Sequence, residues 1–307
     1  MATVTEIDQA RQEVRDDLVG AGLLIPSGVD GIYGRSGTFE GVLEQLDDFI
    51  FSHARDDGAD IMRFPPVMTK RNLEVSGYMQ SFPQLAGAVH SFMGNEREHA
   101  ELLVAYEAGA GWGASLRQTE AVLIPAACYP IYPVLSGALR DGGRLIDVLS
   151  YCFRHEPSPD PTRLQSFRMH EHVRLGLAEE VQSWRSTWMK RVPAILGLLR
   201  LDGRPEIAND PFYGRAGKLL GRNQRDQALK IEFVIPITSA EQPTACISIN
   251  YHQDHFGQLF GINTADGQVA HTSCIGFGLE RLTIALFRRH GLTPADWPDE
   301  VRRALSM

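Results

Sequence analysis

Apolar residues near the start of the chain repeat with the period of an amphipathic helix and then lose that period. Residues 5–20 and 39–50 carry apolar side chains three or four positions apart, which predicts a helix over each range. A glycine-rich stretch, 28–37, separates the two ranges. Residues 61–80 include Pro65 and Pro66, which are excluded from a helix interior, so this range is predicted to be extended.

From residue 145 onward, short runs of β-branched and aromatic residues predict strands. The predicted strands are 145–156, 163–176, 230–239, 244–252 and 271–278, and the first two form an antiparallel hairpin with a long loop. Helices are predicted over 177–200, interrupted near Pro193, and over 279–290, with Gly291 as the C-terminal cap. Strands joined in this way, without regular β-α-β spacing, indicate an α+β fold with a mainly antiparallel sheet flanked by helices.

The composition is that of an ordinary globular chain, with 307 residues, 43% hydrophobic and 22% charged, and a net charge of −8. The negative balance argues against a broad nucleic-acid surface, because such surfaces neutralise phosphates with Lys and Arg. No apolar run is long enough to span a membrane, and the acidic N-terminus lacks the features of a signal peptide. We therefore expect a cytoplasmic protein without a membrane partner, in which the four scattered cysteines form no disulfide.

Charged and aromatic residues follow one face of the predicted hairpin. Arg154 and Glu156 are two positions apart, so they share a face of a strand, and Arg163 and Phe167 share a face on the returning strand. An arginine on a sheet can hold a phosphate with two hydrogen bonds, and an aromatic ring can stack on a base. Taken alone, a surface ion pair and a core phenylalanine explain these residues better.

A second segment, GFGLER, begins at Gly276 and ends at Arg281, where a predicted strand meets a predicted helix. Glycines at such a junction let the backbone approach a ligand closely. Arg281 is placed in the first helical turn, where an anion is already favoured. By itself, the pattern is equally consistent with a solvated arginine.

In chain order, three segments resemble the three signature motifs of class II aminoacyl-tRNA synthetases, most nearly those of seryl-tRNA synthetases. The segments are IMRFPPVM (61–68), FRHE followed by RLQSF (153–156 and 163–167), and GFGLER (276–281). The resemblance implies that Arg154 contacts the α-phosphate of ATP, that Glu156 contacts the adenine end, and that Arg163 and Arg281 hold the outer phosphates. It also implies that Arg154 and Arg281 are the catalytic residues. It implies that Phe167 stacks on adenine and that the nucleotide site is completed by Leu164, Lys230, Ala245, Cys246, Ile247 and Ser248. Mg²⁺ is expected with ATP, although the acidic residue that precedes the corresponding strand in the synthetases is replaced here by the more distant Glu241.

Cys128, Glu171 and Cys274 are too far apart in sequence to form a short-spaced zinc motif, and buried filler cysteines would explain two of them. Their placement resembles the zinc site of archaeal-type seryl-tRNA synthetases. The resemblance implies that these three residues bind Zn²⁺, that the zinc binds the amino group of the substrate, and that Glu171 lies at the substrate. His170 and His172 are expected to point away from Glu171, because side chains alternate along a strand. His252 and His255 are expected in the pocket wall.

The segments GIYGRSGTFE, FPPVMTKRNLEVSGYMQSFPQL and SFRMHEHVRLG resemble the amino acid–[carrier protein] ligases, which are truncated homologues of seryl-tRNA synthetases. This resemblance implies one catalytic domain over 1–307, in which residues 1–55 form a helix and a glycine-rich segment rather than a coiled-coil tRNA arm. It implies that glycine or alanine is activated as an adenylate and passed to the phosphopantetheine thiol of a carrier protein, without tRNA, by a homodimer. Carrier proteins are acidic, so a basic helix face is the candidate docking surface, although solvation alone would explain it: Arg215, Lys218, Arg222 and Arg225.

Other functions remain open at this point. A seryl-tRNA synthetase-like enzyme that charges tRNA would share all three motifs. A non-catalytic paralogue that binds an amino acid or ATP would share the fold but lose motif residues, whereas Arg154, Glu156, Arg163 and Arg281 are present. A zinc hydrolase is disfavoured because no recognisable helix motif supplies a general base.

Overall fold

The computed structural model describes residues 4–307, apart from the side chains of residues 215–218, 220 and 223. The helices are α1 Val4–Gly20, α2 Gly37–Ser52, α3 Lys70–Val75, α4 Tyr78–Ser81, α5 Glu96–Glu107, α6 Ile131–Val134, α7 Ala178–Leu198, α8 Gly214–Asp226, α9 His255–Phe260, α10 Leu279–His290 and α11 Asp299–Ala304. The strands are β1 Leu24–Pro26, β2 Tyr33–Arg35, β3 Asp60–Met62, β4 Val67–Thr69, β5 Ala88–Ser91, β6 Arg117–Leu123, β7 Gly137–Ala138, β8 Arg144–Phe153, β9 Ser166–Gly176, β10 Arg204–Ala208, β11 Lys230–Ile235, β12 Thr244–Gln253, β13 Ile262–Asn263 and β14 His271–Gly278. Within this part of the chain, no helix is both long and apolar enough to cross a membrane.

A seven-stranded sheet organises the fold, in the order β10-β11-β12-β14-β9-β8-β3. Neighbouring strands are antiparallel except for the edge strand β3, which runs parallel to β8. The prediction of an α+β fold with a mainly antiparallel sheet is therefore confirmed. The hairpin of β8 and β9 lies beside β14, so the segments around Phe167 and Gly276, far apart in sequence, meet on neighbouring strands.

Each face of the sheet is covered by its own apolar cluster. One cluster packs α1, α2, α7 and α10 on the sheet and contains fully buried residues such as Trp188 and Phe277. The second, on the opposite face, contains Cys128, Tyr132 and Cys274 together with α6 and part of α9. Alternation along β14 explains this division, because Cys274 and Phe277 differ by an odd number of positions and contribute to opposite faces. The candidate site lies on the face of the second cluster.

Two local predictions are wrong. The range 61–80 was predicted to be extended, but its second half contains the short helix α3 and most of α4, because Thr69 caps α3 by accepting a hydrogen bond from the Asn72 amide beyond the prolines. Helix α7 was expected to break near Pro193 but continues through it to Leu198. The buried Trp188, with Val192 and its neighbours in the core, supplies the packing that offsets the lost backbone hydrogen bond.

Candidate functional site

A cavity of about 410 Å³ opens on the sheet face that carries the second cluster. Strands β9, β11, β12 and β14 supply part of its wall, and much of the remainder comes from residues 76–85, 125–129 and 210–212, the loop between β8 and β9, and the starts of α9 and α10. Twelve of the fourteen residues named from the sequence line it: Arg154, Leu164, Phe167, Lys230, Ala245, Cys246, Ile247, Ser248, Arg281, Cys128, Glu171 and Cys274. Segments from more than half the length of the chain therefore converge on one space.

Arg154 is held against the cavity wall by the backbone. Its Nε donates a hydrogen bond to the Pro125 carbonyl at 2.9 Å, and its own amide donates to the Gln165 carbonyl at 2.9 Å. The guanidinium lies 5.5 Å from the centre of the Phe167 ring, so the two predicted nucleotide-binding groups are adjacent. This contact fixes the orientation of the guanidinium without neutralising its charge.

Arg281, in the first turn of α10, is fixed in a similar way. Its Nε donates to the Thr162 carbonyl at 2.8 Å, and its Nη1 donates to the Ala245 carbonyl at 2.8 Å. Burial lowers the pKa of Arg281, and the nearby positive charges of Arg154 and Arg163 act in the same direction. Among the described residues, neither Arg154 nor Arg281 has an ion-pair partner within 4.0 Å. Two inward-facing cations that are not paired directly with a carboxylate favour an anionic ligand.

Glu156 and Arg163 lie outside the cavity lining and face each other, with Arg163 Nη1 and Glu156 Oε1 3.5 Å apart. Glu156 was expected to share a strand face with Arg154, and Arg163 with Phe167. Both expectations are wrong. Strand β8 ends at Phe153 and β9 begins at Ser166, so neither residue is part of a strand. Half of the Arg163 side chain is exposed (50%), which leaves it at the rim of the site.

Lys230 lines the cavity, but its charge is already compensated. Its Nζ lies 2.5 Å from Asp210 Oδ1 and 3.0 Å from Glu232 Oε1. Although burial alone would raise the pKa of Asp210, Lys230 and Gln224 hold it below its ordinary value. Asp210 was not among the sequence-derived site residues. Its pairing with Lys230 on β11 joins segments 20 positions apart and leaves no local signal in the sequence.

Cys128, Glu171 and Cys274 come together in the same cavity, with one ligand atom from each lying within 4.8 Å of the others. All three residues are buried, Glu171 being 1% exposed. The adjacent strands β9 and β14 supply Glu171 and Cys274, and the loop after β6 supplies Cys128, whose amide donates to Glu171 Oε1 at 3.2 Å. Opposite Glu171 on β14 stands Gly276, where a Cβ would lie 3.4 Å from Glu171 Cγ.

The electrostatics of this triad fit a metal cation. Burial raises the pKa of Glu171, and the hydrogen bond to Cys274, together with burial and the nearby Glu171 carboxylate, raises the pKa of Cys128. Three anionic groups this close repel one another in a buried site, and a divalent cation would relieve that repulsion. Two sulfurs and one carboxylate oxygen are a donor set that suits zinc with one position left open.

The histidines beside Glu171 point to the other face of the sheet, as predicted. His170 Nδ1 and Nε2 lie 2.6 Å from Asp47 Oδ1 and 3.0 Å from Asp147 Oδ1, and His172 Nε2 lies 3.3 Å from Asp147 Oδ2. His252, by contrast, lines the cavity with its Nε2 3.8 Å from Cys274 Sγ. The expectation that His252 and His255 belong to the pocket wall is confirmed.

A partly buried charge network links helix α2 near the N-terminus to strand β9 and helix α10. Arg168 donates from its amide and Nε to the two oxygens of Glu280 at 2.7 and 2.9 Å, and from Nη1 and Nη2 to Glu40 at 2.7 and 2.9 Å. Glu280, which is 1% exposed, directly precedes Arg281. The network could not be predicted from the sequence because its members lie on three separate elements, α2, β9 and α10.

The basic residues considered for docking lie on α8. Arg222 and Arg225 are exposed, and the Arg225 guanidinium contacts Asn209 Oδ1. The side chains of Arg215 and Lys218 lie outside the described part of the chain. The cavity wall also contains aromatic residues that the sequence did not single out, Tyr78, Phe82 and Phe212, and Phe212 lies beside Gly221 of α8.

Comparison with known proteins gives close sequence relatives, although no family model matches the chain. Amino acid–[acyl-carrier-protein] ligase 1 of Bradyrhizobium diazoefficiens is 46% identical over 282 residues, covering 91% of this chain and 86% of the relative. Ligase 2 of the same organism is 44% identical, covering 91% and 84%. A type-2 serine–tRNA ligase of Methanopyrus kandleri is 29% identical over 202 residues, covering 61% of this chain and 38% of that enzyme.

Solved structures support the same fold. The seryl-tRNA synthetase of M. kandleri, determined with tRNA-Sec of A. aeolicus, aligns over 95% of this chain with a TM-score of 0.82 and 22% identity. The enzyme of Pyrococcus horikoshii, determined with ATP, aligns over 96% with a TM-score of 0.69 and 15% identity. This chain spans 60% and 62% of those synthetase chains. With a class II synthetase fold and two close relatives matched over most of their length, the chain belongs to the family of amino acid–[acyl-carrier-protein] ligases.

Proposed function

We propose that the protein activates glycine or alanine with ATP as an aminoacyl adenylate and transfers the aminoacyl group to the phosphopantetheine thiol of a carrier protein. The observation that carries the proposal is the content of one cavity. Two arginines that have no ion-pair partner among the described residues, Arg154 and Arg281, share it with the triad of Cys128, Glu171 and Cys274. A polyphosphate and an amino acid that must react with each other need these two environments side by side.

The arginines and Phe167 form the proposed nucleotide subsite. Because backbone carbonyls already fix one face of each guanidinium, the N–H groups without a hydrogen-bond partner among the described residues can bind phosphate oxygens without further ordering. Leu164 and the segment Ala245 to Ser248 complete this wall. For Mg²⁺, Glu232 is a better candidate than Glu241, because Glu232 lines the cavity opposite Ser248, whereas the Glu241 carboxylate is exposed and bonded to Ser239.

In the first proposed step, a carboxylate oxygen of the amino acid attacks the α-phosphorus of ATP. The bond to the bridging oxygen breaks, and pyrophosphate leaves with the electron pair. Arg154 and Arg281 offset the negative charge on the phosphate oxygens as it moves toward the leaving group, which is the main contribution a protein makes to this type of transfer. Both cations are already in place, so little reorganisation is needed.

Cys128, Glu171 and Cys274 are the residues proposed to hold zinc. A zinc ion bound by them would supply a Lewis acid for the amino group of the substrate. The absence of a side chain at Gly276 leaves space beside Glu171, and this space suits hydrogen or a methyl group on the α-carbon. This fit supports glycine or alanine as the amino acid.

In the second proposed step, the phosphopantetheine sulfur attacks the carbonyl carbon of the adenylate, and the carbon–oxygen bond to AMP breaks to give a thioester. The part of the cavity wall formed by Tyr78, Phe82 and Phe212 is a suitable path for the arm. The exposed Arg222 and Arg225 on α8 suit an acidic carrier surface. We also propose a single catalytic domain that acts as a homodimer.

The transfer step is tested by incubating the protein with ATP and radiolabelled glycine or alanine in the presence of a phosphopantetheinylated carrier protein, the same carrier without its prosthetic group, or bulk tRNA. Label should enter only the phosphopantetheinylated carrier and should be released by hydroxylamine, which cleaves thioesters. Label on tRNA, released by mild base, would favour a tRNA-charging enzyme instead. Formation of the adenylate without transfer to either acceptor would contradict the second step alone.

A further inference from the structure

Each residue of the triad is approached by hydrogen-bond donors from the surrounding wall. Cys274 Sγ accepts from Asn250 Nδ2 at 3.5 Å and lies 3.8 Å from His252 Nε2. Glu171 accepts from the Cys128 amide. Tyr132 lies beside Cys128, and its buried hydroxyl has no hydrogen-bond partner among the described residues. The wall therefore presents donors toward both sulfurs.

The charge of the triad explains why donors surround it. Two thiolates and one carboxylate carry three negative charges, and a divalent cation leaves one of them uncompensated in a buried site. Hydrogen bonds from neutral N–H and O–H groups to the sulfurs spread this excess charge, as the outer partners of metal ligands commonly do. The unpartnered Tyr132 hydroxyl is consistent with this arrangement, because a Cys128 thiolate would give it an acceptor.

His252 is the donor whose orientation the fold determines best. Its Nδ1 lies 3.0 Å from the Thr272 hydroxyl, which is fully buried, and its ring packs against Phe256 at 5.0 Å between centroids. A neutral imidazole carries a single N–H. When the Thr272 hydroxyl donates to Nδ1, that N–H is on Nε2 and faces Cys274. Strand pairing fixes the relation, because β12 carries His252 and the neighbouring strand β14 carries both Thr272 and Cys274.

We propose that His252 is a positioning residue of the metal centre, donating a hydrogen bond from Nε2 to the Cys274 thiolate while the Thr272 hydroxyl fixes its tautomer. The proposal rests on the metal site of the proposed function. It assigns His252 no contact with the reacting atoms. Its effect should therefore appear in how tightly the metal is held and in the electronic structure of the metal–sulfur bond.

The test compares His252→Phe, which keeps an aromatic ring but removes the donor, with His252→Gln, whose amide nitrogen reaches a position similar to that of Nε2. Zinc affinity is measured by competition with a chromophoric chelator, and the sulfur-to-metal charge-transfer band is recorded after Co²⁺ substitution. We expect zinc affinity to fall roughly 10- to 100-fold in His252→Phe and to stay within about threefold of the wild type in His252→Gln. The charge-transfer band should shift only in His252→Phe.

His255→Phe is the matched control, because His255 packs on the same Phe256 ring at 4.9 Å and is not among the groups that contact Cys274 in the described structure. Its zinc affinity should be unchanged. If His252→Phe does not fold, Thr272→Val tests the same hydrogen-bond chain and should weaken zinc binding by several-fold. Unchanged zinc affinity and an unshifted charge-transfer band in His252→Phe would overturn the inference. The same result in Thr272→Val would overturn it where that variant is used. Equal losses of zinc affinity in His252→Phe and His252→Gln would also overturn it. A wild-type protein that binds no zinc would overturn the proposed metal site itself.

Discussion

Replacing Arg281 with lysine separates the role of its charge from the role of its geometry. An arginine side chain has five N–H donors, and two of those of Arg281 are bound to the carbonyls of Thr162 and Ala245. Three N–H donors therefore remain for phosphate oxygens. A lysine at this position keeps the positive charge but cannot bind both carbonyls and span two phosphate oxygens from one nitrogen.

The expected loss follows from the number of bonds. A hydrogen bond to a charged group contributes about 1.5–3 kcal/mol, so losing two of them costs about 3–6 kcal/mol. Because lysine retains the positive charge, the lower part of this range, about 3–4 kcal/mol, is expected. Because each 1.36 kcal/mol corresponds to a factor of ten, kcat/KM for ATP in pyrophosphate exchange should fall by roughly 10²–10³ in Arg281→Lys. KM for the amino acid should change by less than about threefold, since the triad is untouched.

Arg288→Lys is the matched control, because Arg288 lies on the exposed last turn of the same helix. It should retain wild-type exchange, and both variants should unfold at temperatures close to that of the wild type. Exchange in Arg281→Lys within threefold of the wild type, with an unchanged KM for ATP, would refute the assignment of the fixed guanidinium to the phosphates. A large loss in Arg288→Lys would show that the assay reports damage to the helix instead.

Three further predictions address the amino acid subsite and the buried ion pair. Cys274→Ser should lower zinc, measured by atomic absorption, from near one per chain to a small fraction, and exchange should be lost in parallel; full zinc content would contradict the triad. Gly276→Ala adds a methyl group in ordinary contact with Glu171 Cγ at 3.4 Å, so alanine-dependent exchange should fall about tenfold more than glycine-dependent exchange, and equal losses would contradict the subsite. Asp210→Asn should lower the free energy of unfolding, measured in urea at pH 7, by about 2 kcal/mol. This loss is smaller than is typical for a buried ion pair, because 31% of the Asp210 side chain is exposed and Glu232 still faces Lys230. Because the pKa of Asp210 is depressed in the folded state, its contribution is fully present above the ordinary aspartate pKa of about 3.9 and is lost as the pH falls from there through the lower folded-state pKa. The stabilities of the wild type and Asp210→Asn should therefore approach each other only below the ordinary aspartate pKa.

Much of the sheet could be predicted because its strands carry a local signal. The runs around Val173, Phe233, Ile247 and Ile275 are rich in β-branched and aromatic residues, and all of these residues are buried. The helices at 70–81 were missed because Pro65 and Pro66 suggested a longer extended stretch than they enforce. A proline restricts its own and the preceding residue, whereas Thr69 starts a new helix three positions later.

Within the site, prediction succeeded where a residue could be located on a strand. Glu171 and His170 were assigned to opposite faces by alternation alone, and their contacts agree. It failed for Glu156 and Arg163, because the strands end before them and alternation no longer applies. Partners that depend on the approach of distant segments, such as Asp210 for Lys230, leave no periodic trace in the sequence.

The central claim is that this cavity joins an amino acid to ATP. It is tested most directly by amino-acid-dependent exchange of radiolabelled pyrophosphate into ATP, run across the standard amino acids on protein whose zinc content has been measured. The account predicts strong exchange with glycine or alanine, weak exchange with larger amino acids, and near one zinc per chain. Folded, zinc-loaded protein that supports no exchange with any amino acid would contradict it and would leave a non-catalytic binding protein with the same fold.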